Sequence, residues 1–192
     1  GHRLACLNFV ENGIVDSPDH EHRELLVRAL ALSKLAVMDS VDLIGLGDGI
    51  VGPNRHPYHI YVSALAQLRA GNHSRAVDLF REALKSGAGS PNGIHRAAYA
   101  PLAISLFQLR RTFEAEEALG HADETLEEWT AAIAQSPETS MPIDWKDWLE
   151  FRIYLREARL LIRKQELEND QRLVDREQAA WKLLTAADTT HG

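Results

Sequence analysis

The chain has a single cysteine, Cys6, in 192 residues. One thiol closes no internal disulfide, so the fold must hold together without cross-links, which fits a reducing compartment such as the cytoplasm. Positive charge is in the minority. Lysine and arginine number 21 against 28 aspartates and glutamates, a formal net charge of -7. That sign argues against a nucleic-acid partner. Long apolar runs are missing as well. The nearest candidate, residues 25–51, is interrupted by Arg28, Lys34, Asp39, Asp42 and Asp48, so no membrane span is expected. No secretory signal is visible. The chain begins abruptly with Leu4, Leu7 and Phe9 already in place, which reads as a piece excised from a longer protein. What remains is 45% hydrophobic and 26% charged, the balance of a globular domain with a real core.

The pattern along the chain is helical. Ser17-Pro18 is a helix start, followed by Leu25, Leu26, Ala29, Leu32, Ser33 and Ala36 at helical spacing. Glycines 45 to 52 and Pro53 break this region. A helix is expected from Pro57 to Arg69, closed by the turn Ala70-Gly71-Asn72. The next carries Ala76, Leu79, Phe80, Ala83 and Leu84 on one face. After the Gly/Ser/Pro-rich loop at 86–93, a helix covers about Arg96 to Leu109, with Pro101 tolerable only in its first turn. A long helix spans about Thr112 to Ala134, with Leu119, Ala122, Leu126, Trp129 and Ile133 as its buried stripe. Asp144 opens the last region, striped by Trp148, Phe151, Leu155, Ala158 and Ile162. No proline or glycine interrupts it before Gly192, so a long C-terminal helix is expected.

Two segments, 61–84 and 100–123, resemble each other. Aligning Ala76 with Ala115 gives an offset of 115 − 76 = 39. That is a tetratricopeptide unit of about 34 residues with about five more in the loop at 86–93. Ala64 and Ala103 allow close helix approach, as do Ala76 and Ala115. Phe80 and Leu119 fill the space between. At the turn the match departs, with Arg110 opposite Gly71. The expected fold is therefore all-α, tetratricopeptide-like stacked helical hairpins. Residues 1–162 form the helical repeat domain and 163–192 a C-terminal extension.

Several stretches resemble the C-terminal tetratricopeptide-like region of planctomycete-type bacterial serine/threonine protein kinases. They are Cys6 to Ala36, Gly52-Pro53, Leu68-Arg-Ala-Gly71, Gln108-Leu-Arg-Arg-Thr-Phe-Glu-Ala115 and Asp144 to Ala158, together spanning roughly residues 4–162. The resemblance implies a non-catalytic extension attached to a kinase or another signalling module.

No motif here carries chemistry on its own. Gly47, Gly49 and Gly52 match a phosphate-loop pattern, but Pro53 to Pro57 follow where a helix N-terminus is needed, so the glycines read as a structural joint. His20 and His22 lie about 200° apart on a helix and do not share an ion easily. Cys6 reads as a buried small hydrophobe. No metal, cofactor or catalytic residue is expected.

The candidate binding surface is a groove lined by the first helix of each hairpin. Its residues are Tyr58, Tyr61, Leu65, Leu68 and Arg69, then Ala97, Ala100, Ile104, Phe107 and Gln108. They are mostly apolar or aromatic, so the groove either binds an apolar or helical segment or is covered by another helix. The tail from Arg163 to Asp188 is the candidate cover, in this chain or a neighbouring one. Trp145 and Trp148 either close the helical stack or anchor a partner. Between Thr112 and Glu150 eleven acids face Lys146 alone, which is either a solvated face or a patch for a basic segment. The expected partner is a protein or peptide segment, basic or apolar in character. A homodimer through the C-terminal helix, or a spacer with no open groove, is the alternative.

Overall fold

The computed structural model describes residues 20–32, 40–52, 55–88, 94–135 and 143–164. Among the described residues there is no strand. Seven α-helices follow one another: α1 (His20–Leu32), α2 (Ser40–Ile50), α3 (Pro57–Arg69), α4 (His73–Gly87), α5 (Tyr99–Gln108), α6 (Thr112–Gln135) and α7 (Trp145–Ile162). A 3-10 helix (Ile94–Ala98) leads into α5, which leaves Pro101 in the first turn, where its missing N–H costs nothing. Local chemistry sets the ends. Pro57 occupies the first turn of α3, and His56 Nδ1 accepts from Tyr58 N–H. Asp144 caps α7 by accepting from Lys146 N–H at 3.0 Å.

The helices pair as hairpins, α3 with α4 and α5 with α6, and the first helix of each hairpin also packs on the helix before it, α3 on α2 and α5 on α4. α1 lies on α2 and α3, and α7 on α5 and α6. One continuous core runs through them, from Val27 and Ile50 through Ile60, Leu65, Phe80, Leu106 and Leu119 to Phe151 and Leu155. The matched positions Ala64, Ala103, Ala76, Ala115, Phe80, Leu119, Ala83 and Ala122 are all fully buried.

The two hairpin turns agree bond for bond. After α3, Ala70 N–H donates to Ala66 C=O, Gly71 to Leu68 and Asn72 to Gln67. After α5, Leu109 donates to Ser105, Arg110 to Phe107 and Arg111 to Leu106, each pair shifted by the same 39 residues. This is the Schellman closure, which requires a left-handed residue after the cap. Gly71 has φ +79° and Arg110 φ +63°. The mismatch in sequence is therefore no mismatch in backbone: Arg110 adopts the glycine conformation at a steric cost.

Three expectations change. Gly45, Gly47 and Gly49 do not form a loop or joint; they lie inside α2. The reason is contact with α3: a Cβ at Gly47 would sit 2.7 Å from Ala66 Cβ and 3.3 Å from Ser63 Cα. In α1 the buried face is Leu26, Val27, Arg28 and Ala31, while Leu25 and Ala29 are exposed; Ser33 and Ala36 lie outside the described residues. The last helix among the described residues, α7, ends at Ile162, and Lys164 takes φ +57°, outside the helical conformation. Cys6 and the tail beyond Lys164 lie outside the described residues.

Candidate functional site

The groove expected along α3 and α5 is not open. α7 packs on α5, and one edge of it projects Asp147, Glu150, Tyr154 and Glu157 toward α1 and α3. That spacing of three, four and three residues places all four on one helix face. Three of the four form ion pairs with an arginine. Arg28 Nε donates to Glu150 Oε2 at 2.9 Å, Nη2 to Asp147 Oδ1 at 2.5 Å and Nη1 to the Tyr58 hydroxyl at 2.5 Å. Tyr61 donates its hydroxyl proton to the other Glu150 oxygen at 2.6 Å. One helical turn pair away, Arg69 grips Glu157 with both terminal nitrogens at 2.8 Å and donates Nε to the Ala31 carbonyl. Tyr154 donates to the same carbonyl at 3.0 Å, and the Arg69 guanidinium lies 5.1 Å from the Tyr154 ring centroid.

Below this polar seam the α7 contact is apolar. Trp148 and Phe151 meet Trp129 of α6, with ring centroids 6.1 and 5.0 Å apart. Farther along, Arg159 and Arg163 bind Asp123, and Arg163 also binds Glu116. α7 is thus held on three sides.

Burial sets the protonation of the seam. It pushes the Glu150 carboxyl above its ordinary range, a rise that Arg28 and the Tyr61 hydroxyl only partly oppose. Burial opposes the Arg28 charge, but Glu150, Tyr58 and Asp147 together hold that guanidinium ionised. Burial likewise raises Tyr58, Tyr61 and Tyr154, so all three stay protonated donors.

A cavity of ≈ 220 Å³ opens beside the seam, lined by His56, Pro57, Tyr58, Tyr61, Ser86, Gly87 and His95. Burial and Arg96 lower the pKa of His95, which keeps the ring neutral. Its Nδ1 has no partner among the described residues. Both tyrosine hydroxyls are already committed to Arg28 and Glu150. The cavity therefore offers aromatic walls and neutral polar atoms, with no acid or permanent cation in its lining.

The residues expected to bind a partner fall into two groups. Tyr61, Leu65, Ile104 and Trp148 are core residues with 7% exposure or less, and Tyr58 and Arg69 are half-buried in the seam. Phe107 is half-buried. Only Gln108 and Trp145 stand free of the core, Trp145 at 64% exposure. The burial has a simple cause: α7 packs on α5 and reaches α1 and α3 with its side chains, while the tail beyond Lys164 lies outside the described residues. The eleven acids are also less naked than their local sequence implies. Arginines from other helices reach Glu114, Glu116, Asp123, Glu128, Asp147 and Glu150.

Arg28, Glu150, Tyr154 and Glu157 were not among the expected site residues. A signal existed for them: Val27, Arg28 and Ala31 share a helical face, as do the acids and tyrosine of α7. Searching for apolar periodicity alone passes over both.

Comparison with protein-family models, curated proteins and solved structures finds no match. The kinase-associated resemblance rests on the sequence stretches quoted above. Among the described residues no helix is long and apolar enough to cross a membrane, and no cluster of three or more histidine, cysteine or acidic side chains is arranged to hold a metal ion.

Proposed function

We propose that this chain is a non-catalytic, tetratricopeptide-like protein-interaction module, cytoplasmic, and the C-terminal part of a larger signalling protein such as a serine/threonine kinase. The observation that carries the reading is the way α7 packs on α5 and α6 and reaches α1 and α3 with its polar side chains. It docks as a ligand helix docks in a groove, with an apolar stripe below and carboxylates clamped by Arg28 and Arg69. Support for the hairpin type comes from the two turns repeating bond for bond at an offset of 39. Support for a non-catalytic role comes from the seam itself, whose titratable groups are spent on one another.

With the groove occupied from within, partners meet the outer surface. The most exposed large apolar side chain among the described residues is Phe113, at 84%, just beyond Gln108 across the α5–α6 turn. A protein or peptide segment reading this end would bury Phe113 against its own apolar residues. Quantitative capture of binding proteins from a native lysate tests this. Phe113→Ser with Gln108→Ala should reduce capture at least severalfold without changing the circular dichroism spectrum. Equal capture by wild type and the double variant would overturn the assignment.

The closed groove also favours a second reading, a structural spacer or dimerisation element. Light scattering separates the two: a stable dimer that captures nothing supports the spacer.

A further inference from the structure

The two hairpins share one turn geometry and differ at two positions which that geometry does not use. The offset of 39 sets Arg110 on Gly71 and Phe113 on Ser74. Both turns close through the same three backbone bonds, so glycine and serine satisfy every requirement of the closure. The second hairpin carries less favourable residues at both places. Arg110 holds φ +63°, a conformation that strains a residue with a Cβ and leaves glycine unstrained. Phe113, in the first turn of α6, leaves an aromatic ring 84% exposed. Neither side chain has a hydrogen bond, ion pair or ring contact among the described residues. The neighbouring cations are committed: Arg81 and Arg111 both pair with Glu114, and Asp78 also acts on Arg111. Strain and exposure retained where the same chain shows the relaxed solution point outward, to something that meets this end.

Charge says what that is. Arg110 is exposed in the turn, and Phe113 follows three residues later, so their Cα atoms lie within about 11 Å of each other. Glu117 is one turn beyond Phe113 on the same face of α6, exposed and without an ion pair among the described residues. A free cation, an aromatic ring and an acid thus follow one another from the turn along α6. That order attracts a carboxylate at the turn and an apolar side chain over the ring, and repels an acid beyond it. We propose that the α5–α6 end reads a short protein segment carrying an aspartate or glutamate within about three positions of a large apolar residue. The carboxylate pairs with the Arg110 guanidinium, whose planar fork of N–H donors fits it, and the apolar side chain covers Phe113. The covered ring supplies most of the affinity, and the charge fixes the orientation. The assignment rests on the partner-binding reading of this end and adds the chemistry of the segment that meets it.

A phage-displayed library of random short peptides tests this on the full chain. Excess free Arg110→Gly, Phe113→Ser double variant is present to remove peptides that bind elsewhere; it carries the first hairpin's residues at both positions and so keeps the closure. Selected peptides should be enriched severalfold in an acid near a large apolar residue. Selection on Arg110→Glu should return lysine or arginine in place of the acid. In fluorescence anisotropy a selected peptide should bind Arg110→Gly about two- to fivefold more weakly, although relief of strain raises that variant's melting temperature. Phe113→Ser should weaken it about tenfold or more. Peptides that need Phe113 but keep the same residues whether position 110 is arginine or glutamate overturn the acid assignment and leave the contact surface standing. Finding no peptide that distinguishes wild type from the double variant overturns both. A concentration-dependent dimer abolished by Phe113→Ser gives this end to a second copy and also overturns the assignment.

Discussion

Arg28 should be the most expensive single cation to remove. It is 6% exposed and donates to Glu150, Asp147 and Tyr58 at once, while Glu150 is 2% exposed. Arg28→Met keeps most of the volume but leaves two carboxylates facing a hydrophobic side chain. Breaking a buried pair from one side costs about 3–5 kcal/mol, because the remaining charge stays desolvated. The pH dependence gives a second handle. Burial already holds the Glu150 pKa above its unfolded value, and losing Arg28 removes the strongest opposing influence. A raised native pKa favours the folded state below the unfolded pKa, and that advantage is lost as pH rises through the native value. The deficit of Arg28→Met relative to wild type should therefore be largest near neutral pH and shrink toward pH 4, where Glu150 is protonated in either protein. Urea unfolding followed by circular dichroism at both pH values measures it, with the midpoint falling and the slope unchanged. A loss under about 1 kcal/mol at pH 7, the scale of an exposed pair, would refute the buried seam. So would a deficit that grows on acidification.

The remaining tests address the hairpins. Arg110→Gly should stabilise by roughly 0.5–1 kcal/mol, since a left-handed non-glycine residue costs about 1–2 kcal/mol and glycine's extra chain entropy returns part of it; Gly71→Ala should lose about 1 kcal/mol although its Cβ meets nothing within 4 Å. Thermal melts that show no change in either would deny the shared turn. Along α2, Gly45→Ala and Gly49→Ala have no neighbour within 4 Å and should each add roughly 0.5–1 kcal/mol of helix stability. Gly47→Ala should cost about 1–3 kcal/mol by pushing on Ala66, and Ala66→Gly should recover part of it. Equal effects at all three glycines in urea titrations would mean that α2 does not lie against α3 at Gly47.

What the sequence disclosed, and what it hid, divides along the range of the forces involved. The bounds of α3 and α6 were legible because their signals are local: Pro57 at a first turn, Gly71 at a close, an unbroken apolar stripe from Leu119 to Ile133. The hairpin repeat was legible for the same reason, since Ala64, Ala76 and their counterparts carry the packing in their small size. α2 was hidden because three glycines weaken local helix propensity, and only the approach of Ala66 and Ser63 from α3 explains Gly47 there. The face of α1 was missed by about one position, because a search for apolar spacing rejects Arg28, which is buried.

The seam is the harder case and the more instructive one. Arg28 and Glu150 are 122 residues apart, and nothing near either in sequence hints at the other. Acid counts along α6 and α7 pointed to a negative surface, yet the compensating arginines sit on α1, α4, the 3-10 helix and the end of α7 itself. Local charge bookkeeping fails wherever a chain pairs charges between distant helices. The acids then mark where one helix is to be received by another. By that logic the pattern in α7, carboxylates one helical step from an apolar stripe, describes a docking helix. It meets its arginines on α1 and α3, at Arg28 and Arg69.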